Sequence, residues 1–266
     1  MNDAVLTSVS NSLIKEMRAL AQKKTREARG EFVCEGIQLV VQAAQSGAPV
    51  KLIVVAPDLL TSAVGRELVR AQERAGTRIV RVSRAVFESF AERENPSGLA
   101  AVVKIAPRAL DTLRAADDAI FVALHQVSNP GNLGAILRTA DAVGARGVIV
   151  SGAATDPYAP AAVKASRGAL FTVPLVRVRA AQDFLNWAHA QNLRLVTTSD
   201  QAAQDFWHAD LRPPLVVVFG SEGEGLPEDV LRAGSAVRIP MFGQVDSLNL
   251  AVAASVLLYE VKRRMR

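Results

Sequence analysis

The sequence predicts an α/β protein of two modules, and three observations carry that prediction. Short apolar runs rich in Val, Ile and Leu recur through the chain, with helix-like stretches between them, the pattern of strands under helical cover. A Pro-led stretch of mixed charge, Pro107 to Asp118, interrupts that pattern. Half of the 266 residues are apolar, enough for one large core or two modest ones. The expected division is 1–107, a smaller α/β module, then a linker at 108–117, and a larger α/β module with a parallel sheet at 118–266.

In the first module, Leu13, Ile14, Met17, Leu20 and Ala21 recur at helical spacing and predict one amphipathic helix. Its polar side holds Lys15, Arg18, Lys23, Lys24, Arg26 and Arg29. Two readings stay open for this face: a solvated surface, since Lys and Arg are ordinary surface residues, or a face for RNA phosphates. A helix is expected over Phe32–Ala44, then strand Leu52–Val55, helix Ala63–Ala75, and strands Arg78–Val82 and Leu99–Ile105, with parallel pairing.

The second module opens on Ala119–Leu124, a continuous apolar run that fits a strand buried on both faces. Turn chemistry at Ser128–Asn132 leads into a helix over Leu133–Val143 that stops at Gly144. Strand Gly147–Ser151, a helix within Asp156–Ala169, an extended piece Val173–Val176, helix Ala181–Gln191 and strand Leu193–Thr197 follow. Strand Leu215–Phe219 empties into Gly220-Ser-Glu-Gly-Glu-Gly225. A second strand, Ile239-Pro-Met-Phe-Gly243, leads to Ser247-Leu-Asn249 and a closing helix over Leu248–Arg264.

The net charge of +5 and the basic isoelectric point favour an anionic partner without choosing one. Residues 1–107 hold fifteen Lys and Arg against eleven Asp and Glu, and residues 108–266 sixteen against fifteen, so the excess sits in the first module. There is no apolar run of about 18 residues, and Met1-Asn-Asp-Ala-Val-Leu has no basic stretch ahead of an apolar core. Cys34 is the single cysteine, and His125, His189 and His208 lie far apart. The expectation is a cytoplasmic protein with no membrane span and no metal.

Gly220–Gly225 is not a P-loop, because no Gly-Lys-Ser/Thr follows, and its glycines are not spaced as in the dinucleotide fingerprint. Glu222 and Glu224 within it would repel a polyphosphate. A neutral or cationic ligand fits better, and a plain turn after a strand is the bland alternative. Asn132 can act as a helix cap, and Arg138, flanked by Leu137, can be a snorkelling surface residue or a guanidinium held at the strand ends. Ser247 and Asn249 can each cap the closing helix, but one cap suffices.

Together, Asn129-Pro-Gly-Asn-Leu-Gly-Ala-Ile-Leu-Arg138, Val218-Phe-Gly-Ser-Glu-Gly-Glu-Gly225 and Ile239-Pro-Met-Phe-Gly-Gln-Val-Asp-Ser-Leu-Asn249 resemble the three ordered motifs of the SpoU (TrmH) family of RNA 2′-O-ribose methyltransferases, within the SPOUT superfamily. The resemblance covers about 119–262, and the first module is similar to the small α/β RNA-binding domain that members carry. It implies a C-terminal trefoil-knot methyltransferase domain, which topology rules alone would exclude, and a homodimer. It also implies S-adenosylmethionine held by Gly220, Ile239 and Leu248, with Met241, Thr197 and Thr198 as further pocket residues. Arg138, Asn132, Glu222, Ser247 and Asn249 would form the catalytic set, with Arg138 as base or as a positioning group. The substrate implied is ribosomal RNA, of the large subunit, in preference to tRNA. A non-catalytic RNA-binding relative and, from the residues alone, a nucleotide-binding enzyme such as a dehydrogenase are the alternatives.

Overall fold

In the computed structural model the described residues are 5–265; the stretch Met1–Ala4, read above for an export signal, lies outside them. The chain forms two compact units, one running through Ala106 and taking in Tyr158–Phe171, the other built from Pro107–Pro157 and the chain after Phe171.

The first unit begins with α1 (Ser12–Ala19), capped by the Asn11 side chain, which accepts from the Leu13 N–H, and continues with α2 (Lys23–Arg29), ended by Gly30 at φ 62°. The single basic helix expected here is therefore two. Arg26 explains the break: its guanidinium donates to the carbonyls of Leu20 (2.8 Å) and Ala21 (2.7 Å), groups that the end of α1 leaves unpaired. Arg26 is buried as a result and leaves the basic face, while Lys15, Arg18, Lys23, Lys24 and Arg29 stay exposed.

The helix expected over Phe32–Ala44 also divides, into β1 (Glu31–Glu35) and α3 (Ile37–Gln45), with Gly36 at φ 111° between them. Phe32 and Cys34 alternate inward from β1, a period of two that the adjoining apolar helix residues had masked. Burial pushes the Cys34 thiol up to about 12, so it holds its proton near neutral pH. The unit continues through β2 (Val50–Val55), α4 (Ala63–Arg74), β3 (Ile79–Arg81), α5 (Arg84–Glu88) and β4 (Leu99–Lys104). Its sheet has the order β1-β4-β2-β3. Only β2 and β3 are parallel; β4 runs antiparallel to both of its neighbours, correcting the expected parallel pairing. β4 does not neighbour β3 but inserts between β1 and β2, running opposite to both.

The second unit contributes β5 (Ile120–His125), α6 (Pro130–Ala142) and β6 (Gly147–Ser151). The chain then supplies α7 (Pro160–Ser166) and most of α8 (Ala169–Thr172) to the first unit. There Phe32 packs against Tyr158 and against Phe171, at centroid distances of 5.0 and 6.1 Å. The helix expected within Asp156–Ala169 is interrupted by Arg167 and Gly168, both at positive φ. Next come β7 (Leu175–Val178), α9 (Ala181–Ala190), β8 (Arg194–Thr198), β9 (Gln204–Asp205), β10 (Leu215–Phe219), α10 (Glu228–Leu231), β11 (Ser235–Arg238) and α11 (Leu250–Arg263). The seven strands are ordered β7-β6-β5-β10-β8-β11-β9 and every pair is parallel. β5 and β10 are buried along their whole length at the centre, as continuous apolar runs require.

Two boundaries differ from expectation in ways that matter for the site. α6 starts at Pro130, not Leu133: Asn129 is its cap, accepting from the N–H groups of Gly131 and Asn132, and Pro130 takes a first-turn position, where its missing N–H costs nothing. The expected strand Ile239–Gly243 is not one. β11 ends at Arg238, and Pro240 has no N–H for a ladder.

Candidate functional site

Open parallel sheets leave a crevice beyond the carboxyl ends of their strands, and the motif residues gather there. β10 runs directly into Gly220, after which Ser221 and Gly225 exchange two backbone hydrogen bonds of 3.1 Å. The Ser221 hydroxyl accepts from the Glu224 N–H at 3.1 Å, and Gly225 sits at φ 70°. A Cβ on Gly220 would collide with the Gly225 carbonyl, so this tight turn closes only around glycine.

The Glu222 carboxylate leaves the turn and saturates itself on the start of α6. It accepts from the Ser128 N–H (3.0 Å), the Ser128 hydroxyl (2.9 Å), the Asn129 N–H (3.1 Å) and the Asn132 side-chain amide (3.0 Å). Burial raises its pKa, but the hydrogen bonds from Ser128 and Asn132 outweigh burial and bring it down to about 2. Because a carboxylate only accepts, the orientation of the Asn132 amide is fixed, and its oxygen is left to accept from the Asn249 amide at 3.1 Å. Asn249 in turn caps α11 by accepting from the Ala251 N–H at 3.0 Å. Asn132 is thus not a cap but a buried tie, and Asn249 is both. One chain of hydrogen bonds joins the three sequence motifs, and Thr139 and Ser255, 2.8 Å apart, reinforce α6 against α11.

Beside this network lies a cavity of about 760 Å³, lined by all three of Gly220, Ile239 and Leu248 and by Met241, Thr198 and Ser247. Leu226, Leu231 and Leu257 add apolar wall. The acidic residues around it are Asp200, Glu222, Glu224, Glu228 and Asp246, against one arginine, Arg238, whose guanidinium is paired with Asp205 at 2.7 Å. Thr198 donates to the Val218 carbonyl at 2.9 Å. Thr197 does not line the cavity: the alternation of β8 turns it to the opposite face, where it is fully buried and donates to the Leu231 carbonyl at 3.0 Å.

Arg138 stands apart. Six residues beyond Asn132, it lies about 9 Å farther along α6 and about 120° around it, by helix geometry. Its side chain is exposed and makes no hydrogen bond or ion pair among the described residues. Ser247 is likewise exposed, without a hydrogen bond among the described residues. Sequence reasoning missed Ser128, whose only signal was turn chemistry, and gave no site role to Asn129 although it opens the first motif. Of the basic set in the first unit, Arg29 pairs with Glu16 (2.8 Å) and Lys23 with Glu27 (3.8 Å), and Arg18 donates to the Val9 carbonyl. Among the described residues no group of metal-ligating side chains gathers, and no helix is long and apolar enough to cross a membrane.

Comparison with known proteins matches residues 119–259 to the SpoU rRNA Methylase family and residues 11–101 to an MRM3-like substrate binding domain. A 23S rRNA (uridine(2479)-2′-O)-methyltransferase of Streptomyces viridochromogenes is 32% identical, over 96% of this chain and 90% of its own. The crystal structure of an AdoMet-bound rRNA methyltransferase from Sinorhizobium meliloti superposes with a TM-score of 0.90 at 34% identity, covering 99% of this chain and 98% of that one. A structure concerned with 2-OH methylation of C/U34 on tRNA, 30% identical with a TM-score of 0.53, covers 56% of this chain and 98% of its own. With the three motifs tied into one network beside a glycine-closed cavity, and more than half the chain matched, the protein belongs to the SpoU family of S-adenosylmethionine-dependent RNA 2′-O-ribose methyltransferases.

Proposed function

We propose that this chain methylates a ribose 2′-hydroxyl of large-subunit ribosomal RNA, with the 760 Å³ cavity as its cofactor site. The observation that carries the proposal is the cavity's charge and shape together. Five acidic residues and one already-paired arginine disfavour a polyphosphate, whereas a sulfonium cation with a neutral adenine suits acidic surroundings and apolar walls. Gly220, Ile239 and Leu248 would hold it, chiefly through backbone groups, with Met241 and Thr198 beside them; Thr197 falls away.

When bound, S-adenosylmethionine supplies an electrophilic methyl group. What remains for the protein is to align the 2′-hydroxyl, exclude water and manage the departing proton. Asn132, Glu222 and Asn249 are satisfied by one another, so their part is positioning: they fix α6, the glycine turn and α11 as one frame. Arg138 and Ser247 are the members of the proposed set left free to meet RNA. A guanidinium holds its proton to a pKa above about 12, so Arg138 is read as binding a phosphate and stabilising charge, with the base role set aside.

Several features support the rest of this reading. Val252, Val256 and Tyr259 form an exposed strip on α11 at helical spacing, which suits burial against a second copy in a homodimer. The threading of a trefoil knot through the second and third motifs, a cytoplasmic location, and the assignment of residues 1–107 as the RNA-binding domain belong to the same proposal. The relative acting on tRNA matches only about half of this chain, whereas the rRNA methyltransferases match it throughout, which favours rRNA. Calorimetry with S-adenosylmethionine, and mapping of 2′-O-methyl sites in total RNA with and without the gene, test the proposal. We expect the loss of a site in large-subunit rRNA; unchanged rRNA would overturn it, and a lost tRNA site would redirect it.

A further inference from the structure

We infer that a second cavity, within the first unit, takes an unpaired guanine of the RNA, with Glu35 as its hydrogen-bond acceptor. The inference rests on the methyltransferase reading only for the identity of the polymer. The cavity, of about 240 Å³, opens between α1, β1, the loop around Phe90 and α7. Glu35, at the end of β1, uses one carboxylate oxygen to accept from the Glu92 N–H at 2.7 Å. Its other oxygen, Oε1, is buried and has no hydrogen-bond partner among the described residues. A buried carboxylate oxygen without a donor is expensive, and native structures rarely leave one unexplained. A ligand N–H delivered into the cavity would resolve it.

The surroundings narrow the ligand. Two aromatic rings line the cavity, and each is held by a buried phenylalanine behind it: Tyr158 against Phe32 at 5.0 Å, and Phe90 against Phe87 at 4.8 Å. Fixed aromatic and aliphatic walls suit a flat heterocycle, and stacking of a splayed-out base on aromatic side chains is how proteins read single-stranded RNA. Arg18, Arg93 and Lys164 also line the cavity with the Glu92 carboxylate, whose pKa burial and the nearby Glu35 charge raise. Three cations thus face two carboxylates, and the balance favours the adjoining phosphates. Among the bases, guanine alone presents two adjacent donors, N1–H and N2–H, on one edge. Uracil flanks its single N–H with carbonyl oxygens that a carboxylate would repel.

The test uses the full-length protein, titrated with guanosine 5′-monophosphate and uridine 5′-monophosphate by calorimetry and by NMR. We expect the guanine nucleotide to bind at least about tenfold more tightly than the uracil nucleotide. Glu35→Gln can still accept from the Glu92 N–H but puts a donor where Oε1 stood, and should weaken the guanine nucleotide about tenfold or more. S-adenosylmethionine affinity should not move, and KM for RNA should rise with kcat retained. Ala21→Phe, on an exposed residue at the mouth, should block the nucleotide even if Glu35→Gln fails to fold. Equal binding of the two nucleotides, or guanine binding indifferent to both substitutions, overturns the inference. Methylation retained alongside that result leaves the methyltransferase reading standing, while nucleotide selectivity without methylation of any RNA would sink that reading and keep the pocket.

Discussion

Each unit sets a glutamate beside a cavity, and the two are in opposite states. Glu222 accepts four hydrogen bonds and has no capacity left; Glu35 accepts one and keeps a buried oxygen unmet. The difference teaches how to sort polar residues at a site. A saturated group holds the framework, and an unsatisfied one that lines a cavity, as Glu35 does and Ser97 and Trp187 do not, points at something that arrives. Arg138 extends the lesson, since it shares α6 with Asn132, which is tied to both Glu222 and Asn249, and yet has no partner among the described residues.

The comparison breaks most sharply at Arg138. If unsatisfied groups do the work, Arg138→Ala should lower methyl transfer by about 10²-fold or more, as the loss of a transition-state donor does, with unfolding temperature and S-adenosylmethionine affinity nearly unchanged. Wild-type turnover in a single-turnover assay would remove Arg138 from the mechanism. Glu222→Ala should behave the opposite way. It hands the exposed donors of Ser128 and Asn129 to water and leaves only the part-buried Asn132 amide poorly served, and should cost about 0.5–1.5 kcal/mol of stability, read by urea denaturation, with activity falling as the frame loosens.

Acid sharpens the contrast further. The folded pKa of Glu222, about 2, lies below the ordinary carboxylate value, so its stabilisation is complete above about pH 5 and is lost as pH falls toward 2. The stability gap between wild type and Glu222→Gln should therefore close across that window, and a gap independent of pH would contradict the saturated-carboxylate account. The smallest effect belongs to the basic face. Charge reversal at Lys15 or Lys24 should weaken RNA binding modestly and lower the salt dependence of log K by about one phosphate contact each, while leaving stability alone. Arg26→Ala should instead destabilise the protein, because its guanidinium closes the end of α1.

Much of the frame was legible in the sequence. The buried strands β5 and β10 read as continuous apolar runs, and the three motifs named their own neighbourhood. What escaped was whatever depends on direction. Phe32–Glu35 carried the strand period, but four residues of alternation joined to an apolar helix look like more helix. Pro130 looked like a turn residue because proline suits both a turn and the first turn of a helix. Asn132 and Arg138 were read as members of one catalytic set; six residues on a helix separate their directions, and only the three-dimensional partners show one tied down and the other without a partner among the described residues. Glu35 gave no signal, since an unsatisfied oxygen is defined by what surrounds it.

The segment Tyr158–Phe171 has a consequence for synthesis. Phe32 packs against rings that the ribosome makes more than a hundred residues later, so the first unit cannot complete itself when its own contiguous stretch has emerged. At roughly 5–20 residues per second, the nascent chain waits several seconds between finishing Ala106 and delivering Phe171. During that interval Phe32 lacks both of these ring contacts. A fragment cut at the apparent module boundary would be arrested at that stage, and a dissection of this protein keeps its first unit whole only if it carries α7 with it.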